Sequence, residues 1–509
     1  MKRVLEKTIC LALVSMVANG NASDVQAISI DIGRQLFVDD YLIASTKGVV
    51  RHWNKPIKVE NPVVWPGDGA GRGVLDGRKD ANLTCATDGG LWWDPTIGKY
   101  RLWYQADWLG DICYAESADG VHWSYPNLGI VKDTNRIFAE KVPLDSWSVH
   151  PDSAAGNPYA HWRLHISAPG GTTDDVLYES GDGFSFKKIG VAGRSGDRTS
   201  VYYDPFRAEW VFALRNYLNG VGRAVSRVVS PTFSGAKWAW PKDAENWLVA
   251  TNRPNWQLYN FDAVAYESLM LGVMEVLYNS QRDNADCNET GMPKQTGLHF
   301  CFSRDGRTFV PRNEPDIAPS GWGSGKWDTG YLSPIGGICA VNDDSLTFYY
   351  SGLRGDRERL EQKEWWRNGM YSNGSIGRAT LRRDGFAGMV ADGVGEIVTK
   401  PLRFGGGHLF VNGEFRFGSL VVEVLDEQRR PLAGYSAADC EPFASADKTK
   451  AEIRWKGGNL ANLSGRPISF RFKMHCGTLY SFWVSRSTRG ESNGYVAAGG
   501  PSYKGLKDK

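Results

Sequence analysis

Residues 117–124 read SADGVHWS, and the same design returns as SGDGFSF at 180–186 and SRDGRTF at 303–309. One Ser-x-Asp-Gly-x-x-aromatic run is an ordinary turn, in which Asp ties its own backbone and Gly supplies a positive φ. Three of them signal a repeated unit. Asp119 and Asp182 stand 63 residues apart, and Asp182 and Asp305 stand 123 apart, about two such periods. The skipped copy falls near residue 243, where SRVVSPTFSGAKWAW (226–240) is a degenerate version ending in Trp238 and Trp240. A period of about 60 residues is long for a solenoid and fits a four-stranded propeller blade with generous loops.

A second phrase runs in step with the first. LWWDPTIGKYRLWYQ (91–105) and VYYDPFRAEWVFALR (201–215) each set two aromatic strands about a Pro/Gly/Asp turn, and SVHPDSAAGNPYAHWRLHIS (148–167) is a looser copy. AVAYESLMLGVMEVLYN (263–279) and YLSPIGGICAVNDDSLTFYYSG (331–352) complete a set of five hairpins. Each is followed by a third strand such as ICYAES (112–117) or LHFCFS (298–303). The expected fold is all-β: a five-bladed β-propeller over residues 30–400, with Asp119, Asp182 and Asp305 serving its turns. From Leu402 the texture changes to alternating strands without Asp-Gly turns, which predicts a C-terminal β-sandwich over 402–486. The Gly/Ser/Lys-rich tail, 487–509, reads as disordered.

The chain has 509 residues with 20 Trp, 21 Tyr and 21 Phe, enough for two cores, and its net charge of +2 argues against a nucleic-acid binder. Lys2, Arg3 and Lys7 precede an apolar run from Ile9 to Ala18, then Gly20 and Ala22. That is the layout of a signal peptide over 1–22, predicting a periplasmic or secreted protein that leaves the membrane once processed. The seven later cysteines are dispersed without a Cys-x-x-Cys, so a thiolate zinc site is not expected. His161 and His165, four apart on a strand, would lie about 13 Å from each other, too far for one metal. No metal or cofactor is expected, although a structural Ca²⁺ held by rim carboxylates stays open.

In a propeller the segments entering the innermost strands surround a pocket at one face. Those segments carry Asp80, Asp145, Asp197 with Arg198, Asp262 with Glu267, and Asp328. Carboxylates raise one another's pKa when clustered, and such a ring suits glycoside hydrolysis, which needs one carboxyl protonated and another ionised. Arg198 can hold a neighbouring carboxylate ionised or bind a sugar acid. Trp92, Trp147, Trp327 and Tyr259 are candidates for stacking on sugar faces, against the plainer reading of blade packing.

LFVDDYLIAS (36–45), RHWNKPIKVENPVV (51–64), YESLMLG (266–272) and the run from ATLRRDGF to HLFVN (379–412) resemble exported bacterial proteins described as glycoside-hydrolase-family-32-like. The wider superfamily of invertase-like, arabinanase-like and xylosidase-like enzymes uses a five-bladed propeller and three acids. The resemblance implies Glu267 as general acid, Asp80 as base or nucleophile (Asp40 competing), and Asp197 with Arg198 as the tuning pair. It leaves Asp145, Trp147, Tyr259, Asp262, Trp327 and Asp328 to bind sugar. The Asn-Asp-Pro-Asn-Gly signature of invertases is absent, and Asp197-Arg198 matches the family's Arg-Asp-Pro run only loosely. The expected function is an exported glycosidase acting on a poly- or oligosaccharide. Its rivals are a propeller that binds carbohydrate without cleaving it, and a lyase of uronic-acid polymers that would pair a Tyr or His base with Arg198.

Overall fold

The computed structural model describes residues 27–70, 83–250, 253, 255–278, 287, 289–358 and 369–509. Strands dominate. Five successive antiparallel units follow one another along the chain, each opening with a hairpin. Unit 1 is Thr84–Asp94, Lys99–Ala106 and Asp111–Ser117. Unit 2 runs from Ser146–Pro151 through Trp162–Ser167 and Asp174–Ser180 to Lys187–Arg194, and unit 3 from Ser200–Asp204 through Glu209–Leu218 and Gly222–Ser230 to Glu245–Leu248. Unit 4 is Trp256–Glu267, Leu269–Tyr278 and Thr296–Ser303. Unit 5 is Gly330–Val341, Ser345–Leu353 and Gly374–Arg382, and its outer edge is closed by the early strand Ile57–Lys58.

The first strands of the five units touch in sequence, 1 to 2 to 3 to 4 to 5 and back to 1, so they close a ring. Its seam is the parallel pairing of Ile335 with Asp88. The arrangement is propeller-like. Both faces of each first strand are covered, which is why these strands read as near-continuous apolar runs rather than alternating ones.

The Asp-Gly turns answer to local chemistry. In each, the Asp Oδ1 accepts from two following backbone amides: Val121 and His122 at 2.8 and 2.8 Å, Phe184 and Ser185 at 2.8 and 2.7 Å, Arg307 and Thr308 at 2.8 and 2.7 Å. The leading Ser donates to the same oxygen at 3.0, 2.8 and 2.8 Å. Each turn follows a third strand and is gripped by the preceding unit. Tyr349 of unit 5 donates to Gly120 O at 2.8 Å, Trp103 of unit 1 to Gly183 O at 2.9 Å, and Arg207 of unit 3 to Arg304 O at 2.7 Å. The recurring phrase is therefore a clasp between neighbouring units.

The region after the ring is built on a sheet of its own. Ala387–Thr399, His408–Leu425, Phe443–Ile453 and Ser469–Ser485 join one seven-stranded sheet, with bulges between Val411 and Gly413 and between Phe415 and Ser419. The strands Gln35–Leu36, Ile43–Lys47 and Val50–Trp53 belong to that sheet too, so early residues of the 30–400 span pair with the C-terminal region. Early and late segments share one core there, Phe37 and Leu42 joining Phe415, Val422, Phe470 and Phe482.

The tail expected to be disordered is packed. Tyr495–Val496 pairs with Tyr266 and Glu267, and Val496, Ala497, Ala498 and Tyr503 are buried. Small residues that suggest disorder by composition here fit a narrow space: a Cβ on Gly494 would fall 2.0 Å from a Glu267 carboxylate oxygen, and one on Gly500 2.0 Å from Val341 O. Six of the seven described cysteines are buried. Among the described residues no helix is long and apolar enough to cross a membrane. The segment 1–22 lies outside the described residues.

Candidate functional site

Three first strands carry a bulge near their leading ends, and each bulge presents one polar side chain. The ladder of unit 1 skips between Cys85 and Gly90, around Asp88. That of unit 4 skips between Leu258 and Asn260, at Tyr259, and that of unit 5 between Gly330 and Ser333, at Tyr331. Bulges re-aim side chains and are common beside functional sites. Asp88 (φ 69°), Arg198 (φ 59°) and Tyr331 (φ 48°) also hold left-handed backbone, which costs a non-glycine residue about 1–3 kcal/mol and persists only where the surroundings impose it.

These residues meet in one buried polar cluster. Arg198 donates to Glu275 Oε2 at 2.7 Å and to Ser333 Oγ at 3.1 Å, while Asn260 donates to Asp88. Lys294 Nζ donates to the Tyr259 hydroxyl at 2.8 Å, and the Tyr331 hydroxyl lies 3.3 Å from it. Arg215 stands 4.4 Å over the Tyr259 ring and 3.3 Å from Asp197. Trp108 stacks on Tyr371 at 4.2 Å and meets Tyr331 edge-on, forming the apolar wall.

Electrostatics divide the acids. Burial lifts Asp88 to about 7 against the pull of Arg198, and lifts Asp262 well above the usual carboxylate range, helped by Asp88. Burial, then Asp197, lifts Asp145 to about 6. Asp197 goes the other way: burial opposes its ionisation, but Arg215 and Arg198 outweigh that and hold it below its ordinary value. Its side chain is 42 % exposed, whereas Asp88, Asp262 and Glu275 are sealed. Tyr259 is likewise lowered, burial being outweighed by Lys294 and Arg215.

Of the residues expected from sequence, Asp145, Asp197, Arg198, Tyr259 and Asp262 lie in this cluster. Asp80 lies outside the described residues. Glu267 does not join them. It sits at the far end of Trp256–Glu267, fully buried, held by Arg383 at 2.6 Å, by Arg34 Nε at 3.6 Å and by the Ser492 hydroxyl at 2.7 Å. A carboxylate so enclosed joins the ring to the C-terminal sheet and tail, and has no route to a sugar. Asp328 is spent as well, taking Lys58 at 2.7 Å, Ser320 at 2.6 Å and Tyr350 at 3.0 Å to lock the closing strand onto unit 5. Trp147 is fully buried and Trp92 donates to Val149 O at 2.8 Å, so both are packing residues. Trp327 is half-buried on Tyr350 and, with Trp65, Arg354 and Asn373, lines a groove of about 890 Å³. The groove reaches the leading end of unit 1, since Gly374 on its wall bridges Leu83.

Sequence reading missed Asp88, Arg215, Arg223, Glu275 and Lys294. The first and fourth carry a usable signal: each is a lone acid inside a strand apolar on both faces, in TCATDGG and LGVMEVLY. Such a charge is costly unless partnered. Among the described residues, no group of three metal-ligating side chains is gathered.

Neither a family model nor a curated protein matches the sequence. Solved structures with which the chain shares a likeness include a putative glycoside hydrolase from Bacteroides ovatus ATCC 8483 (13% identity, TM-score 0.35, covering 63% of this chain and 97% of that one). A thermostable family-43 glycoside hydrolase aligns at 10% identity and TM-score 0.37 (62% and 92%). The catalytic domain of a Coprinopsis cinerea family-62 α-L-arabinofuranosidase aligns at 10% and 0.39 (64% and 97%).

Proposed function

We propose that this chain is an exported glycoside hydrolase whose five units are the blades of a five-bladed propeller, with the active site at the leading ends of its first strands. Asp145 serves as the general acid and Asp197 as the base or nucleophile, with Arg215 and Arg198 keeping Asp197 ionised. Asp80, four residues ahead of Thr84, is a further carboxylate for the nucleophile's place. Asp88, Asp262 and Glu275 form the sealed floor. The observation that carries this reading is the pair Asp145 and Asp197: two interacting acids at one rim, shifted in opposite directions by burial and by guanidinium. The groove of Trp65 and Trp327 offers aromatic faces for further sugar units, which suits a poly- or oligosaccharide.

The test is hydrolysis of plant and algal polysaccharides and aryl glycosides by the mature protein, beside Asp145→Asn and Asp197→Asn. Loss of about a hundredfold or more in each variant is expected, the scale of a positioned acid or base. Full activity in both would discard the site. A second reading is favoured by Tyr259, a phenol drawn below its ordinary pKa among cations. As a phenolate it could take the proton α to a uronate carboxylate, with cleavage of the β C–O bond leaving a C=C in the product. An ultraviolet-absorbing product abolished by Tyr259→Phe would establish that reading instead.

A further inference from the structure

Four cations converge on one phenol ring. Arg215, Lys294, Arg223 and Arg198 lie 4.4, 5.1, 5.3 and 5.7 Å from the centre of Tyr259. Arg198 pairs with Glu275 at 2.7 Å, and Arg215 reaches Asp197 at a longer 3.3 Å while its other Nη donates to the Tyr259 carbonyl. Arg223 makes no ion pair with any described residue and lies between the rings of Tyr217 and Tyr259. It is 9 % exposed, and its Nε is buried without a hydrogen-bond partner; Nε of Arg215 and both Nε and Nη1 of Arg198 are also unpartnered. Buried guanidinium donors are expensive to leave unused, and the carboxylates paired in this cluster, Glu275 and Asp197, are held by Arg198 and Arg215 and not by Arg223. A neutral sugar hydroxyl is a poor match for that much positive charge. An oxyanion is a good one, because the guanidinium fork meets two of its oxygens with parallel hydrogen bonds.

We infer that the cationic cage around Tyr259 is an oxyanion subsite, built by Arg223 and Arg215 with Lys294 behind, and that the enzyme's substrate brings an anionic group to it. The group is the carboxylate of a uronic-acid residue or a free phosphate acting as co-substrate. This rests on the proposed carbohydrate-cleaving site and narrows its substrate class.

Calorimetric titration of the full mature chain with galacturonate, glucuronate, galactose, glucose and inorganic phosphate tests it. Uronates binding at least tenfold more tightly than the neutral sugars, and weakening by about tenfold in Arg223→Gln, is the expected result. Arg223→Lys, which keeps the charge but not the fork, should fall between, and a melting curve on each variant verifies folding. Binding of phosphate without uronate, with sugar phosphates formed from glycosides, would support the subsite and assign it to phosphate. Equal binding of acidic and neutral sugars, unchanged in Arg223→Gln and with phosphate silent, would overturn it. Cleavage of neutral glycosides that depends on Asp145 would then still leave the hydrolase standing. Conversely, tight anion binding without any cleavage would sink the hydrolase and keep the subsite.

Discussion

At the scale of single residues, Asp145 and Asp197 differ in what faces them, and that difference fixes a pH profile. Burial and the Asp197 charge raise Asp145 to about 6, so its acid form predominates below pH 6 and falls about tenfold per unit above it. Asp197 is held low and stays ionised throughout that range. If Asp145 is the proton donor, kcat/KM descends as pH rises through about 6, and Asp145→Asn removes that limb together with most of the rate. A limb that survives the substitution would assign the titration to another group. Glu267 makes the opposite prediction. Removing its charge takes the carboxylate partner from buried Arg383 and leaves Arg34 only Asp384, at 3.1 Å, which costs about 3–5 kcal/mol. Glu267→Gln should therefore lower the urea midpoint sharply, while the molecules that remain folded keep their activity. An unchanged midpoint with a thousandfold loss of rate would return Glu267 to catalysis. Sequence could not separate these acids, because what distinguishes them is which arginines arrive from distant segments: Arg34 and Arg383 in one case, Arg215 and Arg198 in the other.

At the scale of elements, the Asp-Gly turns were legible in the sequence because their chemistry is local. Ser, Asp and Gly at fixed offsets satisfy one another whatever lies around them. The three bulges that present Asp88, Tyr259 and Tyr331 were not legible, since a bulge is a mismatch between two strands and neither strand announces it alone. What the turn sequence also hides is the grip of the preceding unit, and Gly183 tests it. Its φ is +80°, and a Cβ there would come within 2.9 Å of the Arg101 guanidinium, itself tied to Asp94 at 3.3 Å and set over Trp162. Gly98 has a similar φ of +63° but open space around it. Alanine at either position meets the left-handed backbone cost of about 1–2 kcal/mol. Only at Gly183 must the clasp between units 1 and 2 also give way. Gly183→Ala is thus expected to lower stability by more than Gly98→Ala, measured as the difference in denaturant midpoints. Equal losses would show that the clasp contributes nothing beyond the turn.

At the scale of the whole molecule, the ring has two ends with different fates. Its leading ends hold Asp145, Arg198, Tyr259 and Tyr331. Its trailing ends are closed by the tail: Ala497 N–H donates to Ala265 O at 3.1 Å, Ala498 N–H to Cys339 O at 3.1 Å, Trp93 N–H to Ala498 O at 2.7 Å and Val341 N–H to Gly499 O at 2.8 Å. Three residues, through four hydrogen bonds, thereby bind the first strands of units 4, 5 and 1. Composition misread this segment because much of its order comes from unpaired backbone groups on those strands, which its own side chains do not announce. Ending the chain at residue 486 would orphan Ala265 C=O, Cys339 C=O, Trp93 N–H and Val341 N–H and strip Ser492 from Glu267. At about 1–3 kcal/mol for each buried group left unsatisfied, the sum rivals the 5–15 kcal/mol net stability of a typical domain. The truncated chain should therefore melt far below the full one, or fail to fold, with trailing-end strands the first to be cut in limited proteolysis. Water could reach those groups if the ring's trailing end opened freely, and the cost would then be small. A truncated protein that melts within a few degrees of the full chain would mean that the ring closes itself and the tail is only a cover.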